Sequence, residues 1–248
     1  MKDLFSTGSQ LYHQARPTYP SSIIEEILKH ASERELAWDC GAGSGQFTQL
    51  LAPYFEQVVA TDLSQQQLHQ APHFDNVSYQ VQPAEKTSFM SQSFDVIAVA
   101  QAIHWFDFNK FYPEVYRCLK PDGLFAVIGY ALIHVEPPEL NQLIQTLYFE
   151  TLNGYWDAER RYIDECYRTI PFPFKSISTP EYHMSYRWTG PQLLNYLSTW
   201  SGLKHYKQQR GTDPLIPIQH YLAAHQLDSH QSEIEVQFPI LLRMGKRE

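Results

Sequence analysis

Between residues 36 and 129 short apolar segments alternate five times with helical patterns, and this alternation restricts the chain to one broad architecture. Segments 36–40, 58–61, 77–81, 94–100 and 124–129 read as strands. Phe94-Asp95-Val96-Ile97-Ala98-Val99-Ala100 is the strongest of them, an apolar run of the kind found in parallel strands covered on both faces. Ile23, Ile24, Ile27, Leu28 and Ala31 fall on one helix face behind the start signal Pro20-Ser21-Ser22. Phe47, Leu50 and Leu51 mark a second helix, Ser64 caps a third, and residues 108–119 form a fourth. Strand and helix alternating in this way specify a doubly wound α/β fold, a parallel sheet with helices on both faces.

Beyond residue 134 the pattern changes. Residues 137–153 and 157–169 read as helices, and Pro171 and Pro173 break the second. Residues 177–186 contain extended pieces, and 190–200 and 217–227 are helical. Residues 233–238 alternate Glu-Ile-Glu-Val-Gln-Phe, which predicts a strand with one wet face closing the sheet antiparallel near its edge. The reading is one domain over 1–248, with 1–22 as a lid and 134–176 as a small helical cap over a substrate site. Hydrophobic residues at 43% and charged residues at 19% suit a globular chain. A net charge of -8 with no basic run argues against broad attraction to nucleic acid or anionic lipid. No apolar stretch approaches the roughly 18 residues of a membrane span, and the N-terminal residues lack a signal run. A cytoplasmic monomer is the expectation. Cys40, Cys118 and Cys166 lack metal-ligand spacing and read as buried free thiols, so no metal site is expected.

Asp39-x-Gly41-x-Gly43-x-Gly45 sits where the first strand passes into its helix. Glycines there allow a tight turn and close approach of a ligand to backbone, or serve the turn alone. The spacing differs from G-x-G-x-x-G, and no Gly-Lys-Ser/Thr follows, which disfavours a dinucleotide and a Walker loop. Asp62 ends the second strand, where a carboxylate accepts from both ribose hydroxyls of an adenosine or caps the next helix. Leu63 beside it suits packing on adenine. Ala84-Glu85 form a loop that reaches the adenine edge or stays exposed. Gln101-Ala102-Ile103-His104-Trp105-Phe106-Asp107 is more polar and aromatic than a turn requires. His104 is a local support or a general base, since imidazole titrates near neutrality. Trp105 flanks cofactor or substrate. Arg160, Arg161 and Arg187 offer rigid donor forks to an acidic substrate, with ordinary solvated arginines as the alternative. Tyr155, Trp156 and Tyr186 wall a pocket or pack in the core.

Together these segments carry a resemblance. LAWDCGAGSGQ resembles the first motif of class I S-adenosylmethionine-dependent methyltransferases, and VVATDLS their second-strand acidic motif. FDVIAVAQAIHWFD and LKPDGLFAVIGY resemble the fourth- and fifth-strand motifs, in the same order and spacing. Tyr12-x-x-x-Arg16-Pro17-x-Tyr19-Pro20 resembles the N-terminal signature of the trans-aconitate methyltransferase-like branch. The segment 101–107, the stretch from Trp188 to Trp200-Ser201, and Asp213-Pro214-Leu215 are similar to that branch as well.

The resemblance implies a Rossmann-like, seven-stranded, mostly parallel sheet and S-adenosylmethionine as cofactor. Gly41, Gly43 and Gly45 then cradle its methionine and ribose, Asp39 lies beneath the amino group, and Asp62 binds the ribose. Ala84 and Glu85 flank the adenine, Gln101 contacts the methionine side, and Tyr12, Arg16 and Tyr19 form the lid. The implied acceptor is a small organic molecule, with a carboxylate among the options. A carboxylate nucleophile needs no base, whereas an amine or hydroxyl keeps His104 in play. The alternatives are a protein methyltransferase with an open groove, a non-catalytic S-adenosylmethionine-binding regulator and, more remotely, a nicotinamide oxidoreductase. No Asn-Pro-Pro-Tyr type motif follows the fourth strand, which disfavours methylation of nucleic-acid amino groups.

Overall fold

The computed structural model describes residues 16–247, so Tyr12 and most of the expected lid lie outside the described residues. Helix α1 (Ser21–His30) leads into β1 (Leu36–Cys40), α2 (Thr48–Leu51), β2 (Gln57–Asp62), α3 (Gln65–Leu68) and β3 (Val77–Val81). Then come β4 (Phe94–Ala100), α4 (Phe108–Cys118), β5 (Leu119–Tyr130), β6 (His134–Val135) and α5 (Pro138–Thr146). The remainder is α6 (Arg161–Asp164), β7 (Lys175–Ile177), β8 (Tyr182–Trp188), α7 (Gly190–Ser198), α8 (Ser201–Arg210), α9 (Ile216–Ala224) and β9 (Ile234–Lys246). Among the described residues no helix is long and apolar enough to cross a membrane.

The strands form one sheet in which β3-β2-β1-β4-β5 run parallel and β9 pairs antiparallel with β5. Strand β9 is long enough to serve several partners. On its β5 side it continues past β5 to pair with β6, and its other edge carries β7 and then β8, all antiparallel to it. The nine strands therefore occupy seven columns, because β5 shares a column with β6 and β7 shares one with β8. This is the expected Rossmann-like α/β sheet with flanking helices, broken into more pieces at its antiparallel end.

Period-two alternation divides the core. Ala37, Val96, Ala98, Leu124, Ala126 and Ile128 point to one face, packed with α1, α5 and α7. Trp38, Cys40, Ile97, Val99, Phe125 and Val127 point to the other, packed against Phe111 and Val115 of α4 and against Tyr167. Each of these strands is covered on both sides, which is why their sequences are nearly all apolar. Pairs across the sheet are satisfied locally: the indole N–H of Trp38 donates to Thr61 Oγ1 at 2.8 Å.

The structure differs from the sequence reading in four places. The closing strand runs far beyond 238 because 240–246 pairs along β5, with β8 at 240 and β7 at 244–246 on its other edge, and there the wet-face alternation disappears. The helix expected over 157–169 shrinks to the turn Ala158–Arg160 and α6, since Cys166 and Tyr167 take positive φ (54° and 57°) and stop it. Cys166 is exposed rather than buried, while Cys40 and Cys118 are buried. Helix α8 had no periodic signal, since its sequence SGLKHYKQQR presents few apolar residues.

Candidate active site

Two adjoining clefts open at the carboxyl ends of the parallel strands, where sheets of this kind bind ligands. With the solvent at their mouths they span about 880 Å³ and about 810 Å³, and they share a wall made by Arg16, Gln101 and Trp105.

The first cleft is built by the β1–α2 loop. Gly41 and Ala42 donate their backbone N–H groups to the carbonyl of Thr61 at 2.8 and 2.9 Å, which folds the loop over the end of β2. Gly41, Gly43 and Gly45 all take positive φ, at 75°, 55° and 78°. A Cβ on Gly41 would stand 2.7 Å from that of Ala102, and one on Gly43 would stand 2.8 Å from Gln67 Oε1. Both line the cleft with bare backbone. Gly45 faces away, against Ala71, Pro72 and Tyr79, so it shapes the loop rather than the wall.

Asp62 projects from the end of β2 into this cleft beside Leu63. Its Oδ2 accepts from Gly43 N at 2.9 Å and its Oδ1 from Ser64 N at 2.8 Å. Both bonds orient the carboxylate at the end of β2. Asp39 lies beneath the loop, fully buried, with Oδ2 accepting from Thr48 Oγ1 at 2.6 Å and Oδ1 without a hydrogen-bond partner. Burial drives its carboxyl up to about 7, the charge of Asp62 adds to the rise, and the Thr48 hydroxyl opposes it. Tyr19 is buried at the cleft edge-on to Phe47, and Arg16 donates to the Tyr130 hydroxyl at 2.7 Å. The hydroxyl of Tyr186 pins this leader by bonding both the N–H and the carbonyl of Thr18. Ala84 is buried and Glu85 accepts from Asp107 N at 3.2 Å; neither lines either cleft.

Gln101 takes φ 54° at the end of β4, a costly conformation for a side chain of its size and of a kind that clusters at functional sites. Its Oε1 accepts from Tyr130 N at 2.9 Å, tying β4 to β5 at the shared wall. His104 is buried in the second cleft, its Nδ1 3.2 Å from the Tyr167 hydroxyl. Gly129 makes room for that tyrosine, since a Cβ there would lie 2.6 Å from the Tyr167 ring. Burial, with the charges of Arg160 and Arg16, lowers the imidazole to about 3, so His104 is neutral near pH 7.

The second cleft draws on two distant segments. Trp156, Asp157, Arg160 and Ile163 come from the stretch before and within α6, and Trp200, Lys204 and His205 from α8 and its approach. Gly202 lets them meet, because a Cβ there would stand 2.8 Å from the Trp156 indole. His205 Nδ1 also bonds the Tyr155 carbonyl at 2.9 Å. The Arg160 guanidinium donates to the Tyr148 hydroxyl at 2.7 Å and stacks over Tyr148 and Trp156, 5.3 Å from each ring centroid. Lys204 stands on the solvent side, where desolvation and the charge of Arg16 lower its pKa.

The expected substrate residues divide accordingly. Trp105, Trp156 and Arg160 line the second cleft. Tyr155 lies outside it, its hydroxyl accepting from Arg210 at 2.7 Å. Arg187 is 70% exposed on β8, 3.9 Å from Glu233 and Glu235, and lines neither cleft. Asp157, Lys204 and His205 escaped the sequence reading, because no local pattern sets a lone polar residue on an irregular loop or a polar helix apart from a solvated one, and Trp200 entered it only in the resemblance of 188–201, without a site role.

Known proteins agree with this architecture. A family model described as a methyltransferase domain matches residues 38–127. A methyltransferase of Dictyostelium discoideum is 35% identical over 251 residues, covering 99% of this chain and 95% of that protein. CRG1 of Saccharomyces cerevisiae, described as an S-adenosylmethionine-dependent methyltransferase, is 33% identical over 124 residues, 46% of this chain and 43% of that protein. The solved structure of a protein described as a type II methyltransferase from Anaeromyxobacter dehalogenans superposes with a TM-score of 0.85 at 37% identity, covering 93% of this chain and 97% of that one. The first cleft fits the cofactor these proteins imply, since its glycines bare the backbone and the partnerless Oδ1 of Asp39 waits beneath it. With its parallel sheet, its acidic strand end and a relative matched along nearly its whole length, the chain belongs to the class I S-adenosylmethionine-dependent methyltransferases.

Proposed function

We propose that this methyltransferase acts on a small organic acid held in the second cleft, with S-adenosylmethionine in the first. The observation that carries this reading is the charge of the second cleft: Arg16, Arg160 and Lys204 line it against one acid, Asp157. Guanidinium and ammonium groups around a partly desolvated pocket favour a carboxylate, which they hold by charge-assisted hydrogen bonds. The resemblance of 12–20 and 101–107 to the trans-aconitate methyltransferase-like branch points the same way.

S-adenosylmethionine supplies a methyl group already activated on a sulfonium. The residues then have to orient and enclose the two reactants. In this reading Gly41 and Gly43 take the methionine and ribose portions against bare backbone, and Gly45 keeps the loop closed. Asp62 accepts from the ribose hydroxyls, Leu63 packs on the adenine with Ala84 and Glu85 nearby, and the free oxygen of Asp39 answers the amino group. Gln101, Trp105 and Arg16 flank the passage between the clefts. Arg16 and Tyr19 close the first cleft as a lid, and 134–176 caps the second together with α8. Neutral His104, held by Tyr167, serves as a hydrogen-bond partner and not as a base, which a carboxylate nucleophile does not require. The protein works as a cytoplasmic monomer, without nucleic-acid, membrane or metal partners.

The test incubates the purified protein with methyl-labelled S-adenosylmethionine and a metabolite extract, then separates small molecules from protein. Label in an acidic small molecule, released by mild base as expected of a methyl ester, is the expected result. Label only on protein would move the acceptor to a protein side chain. Tight cofactor binding without transfer would favour a regulatory binding protein.

A further inference from the structure

Oδ2 of Asp157 and Nε1 of Trp200, residues that line the second cleft, are buried and have no hydrogen-bond partner. Such atoms are rare in folded proteins, since each gives up its bond to water and gains none. Local structure accounts for neither. Asp157 occupies the N-cap of the turn Ala158–Arg160, where an aspartate ordinarily accepts from the backbone just ahead, yet its side chain makes no cap bond. The neighbouring Arg160 is engaged with Tyr148 at 2.7 Å and lies 3.9 Å from Asp164. Trp200 is 1% exposed and packs with Tyr148 and Trp156, ring centroids 5.4 and 5.6 Å away. The indole of Trp156 donates to the Tyr148 carbonyl at 3.1 Å, whereas that of Trp200 reaches no acceptor. One orphan accepts and the other donates, and both border the cleft that carries the three cations.

We propose that Asp157 and Trp200 read the methyl acceptor, and that it is a hydroxy acid: its hydroxyl donates to Asp157 Oδ2 and one of its oxygens accepts from Trp200 Nε1. The inference rests on the organic-acid reading above and narrows it. The hydroxyl is a recognition group, and the carboxylate remains the group that is methylated. Charge favours a hydroxyl over an ammonium as the donor, because Arg16, Arg160 and Lys204 already outnumber Asp157. An acid without a donor leaves Asp157 Oδ2 buried and unpaired in the complex, and sites built to hydrogen-bond a hydroxyl reject analogues that lack it.

The experiment uses acids that differ only by a hydroxyl: succinate and malate, glutarate and 2-hydroxyglutarate, propionate and lactate. Release of S-adenosylhomocysteine is followed for each. In the wild-type protein the hydroxy member of a productive pair is expected to exceed its parent by about ten-fold or more in kcat/KM. Asp157→Ala should erase that preference by raising KM for the hydroxy acid alone. Trp200→Phe, which keeps the ring and deletes the donor, should raise KM for both members alike. Calorimetric S-adenosylmethionine binding, unchanged in both variants, reports an intact fold and first cleft, and the wild-type comparison stands without any variant. Equal turnover within pairs, or a preference that survives Asp157→Ala, overturns the proposal and leaves the organic-acid reading in place. Turnover of none of these acids, with cofactor binding intact, overturns both.

Discussion

The two clefts meet at one wall but are built in opposite ways. The first is made at the ends of adjacent parallel strands, and its acid is oriented by backbone N–H groups, as Asp62 is by Gly43 and Ser64. The second is assembled from two segments distant in sequence, 156–163 and 199–205, and depends on Gly202 accepting the Trp156 indole. A site made of strand ends moves only if the sheet moves. A site made of docked loops and a polar helix can change its lining without disturbing the sheet, which suits a cofactor pocket held constant beside an acceptor pocket that varies.

That contrast can be broken by experiment. The largest effect is expected from Asp62→Ala, which removes the proposed ribose acceptor and frees the N–H groups of Gly43 and Ser64. S-adenosylmethionine affinity should fall about 100-fold, by two hydrogen bonds to a charged group, and unchanged calorimetric affinity in the folded variant would sink the role. Arg160→Met should act on the other side only. It should raise the acceptor KM roughly 30-fold, in the range of one charge-assisted bond, with cofactor affinity left intact. A parallel loss of cofactor binding would show the clefts to be one energetic unit.

Smaller effects sharpen the boundary. Arg16 lines both clefts, so Arg16→Ala should weaken cofactor retention and acceptor binding together, each by about ten-fold. An effect on one alone would assign the arginine to that side. The pH dependence concerns Asp39 and the first cleft. Its folded carboxyl lies near 7, above the ordinary 3.8, so it is mostly neutral in the ligand-free protein below pH 7. Its contribution to the stability of that form is fully present below 3.8 and is lost as pH rises through about 7. Binding of the cofactor's ammonium favours the ionised carboxylate, so affinity should rise by up to about ten-fold per pH unit below 7 and level off above it. Titration calorimetry of wild type and Asp39→Asn checks this; an equally steep profile in the variant would remove Asp39 from the site.

Legibility in the sequence follows the same division. The strands of the parallel half were readable because burial on both faces leaves runs such as 94–100 almost wholly apolar. The cradle at 41–45 was readable because positive φ at three alternate positions calls for glycine, and Asp62 because a strand end fixes where its carboxylate points. Arg160 and Trp156 were reachable as a charge and an aromatic in the right region, but Arg187 looked equal to Arg160 in sequence and lies exposed beside Glu233 and Glu235. Lys204 and His205 sit on a helix with little amphipathic character, and Asp157 resembles any aspartate before a turn.

The sequence by itself determined the doubly wound sheet, the glycine loop that follows its first strand and the acid at the end of the second strand. Those follow from local rules, the two-residue alternation of strands and the φ angles that only glycine adopts readily. Only the tertiary structure decided which of several arginines lines the second cleft, that Asp157 and Trp200 hold unpaired atoms in the same cleft, and that His104 is neutral there. Those properties belong to burial and to the charges brought near, and both arise only when distant segments pack against each other.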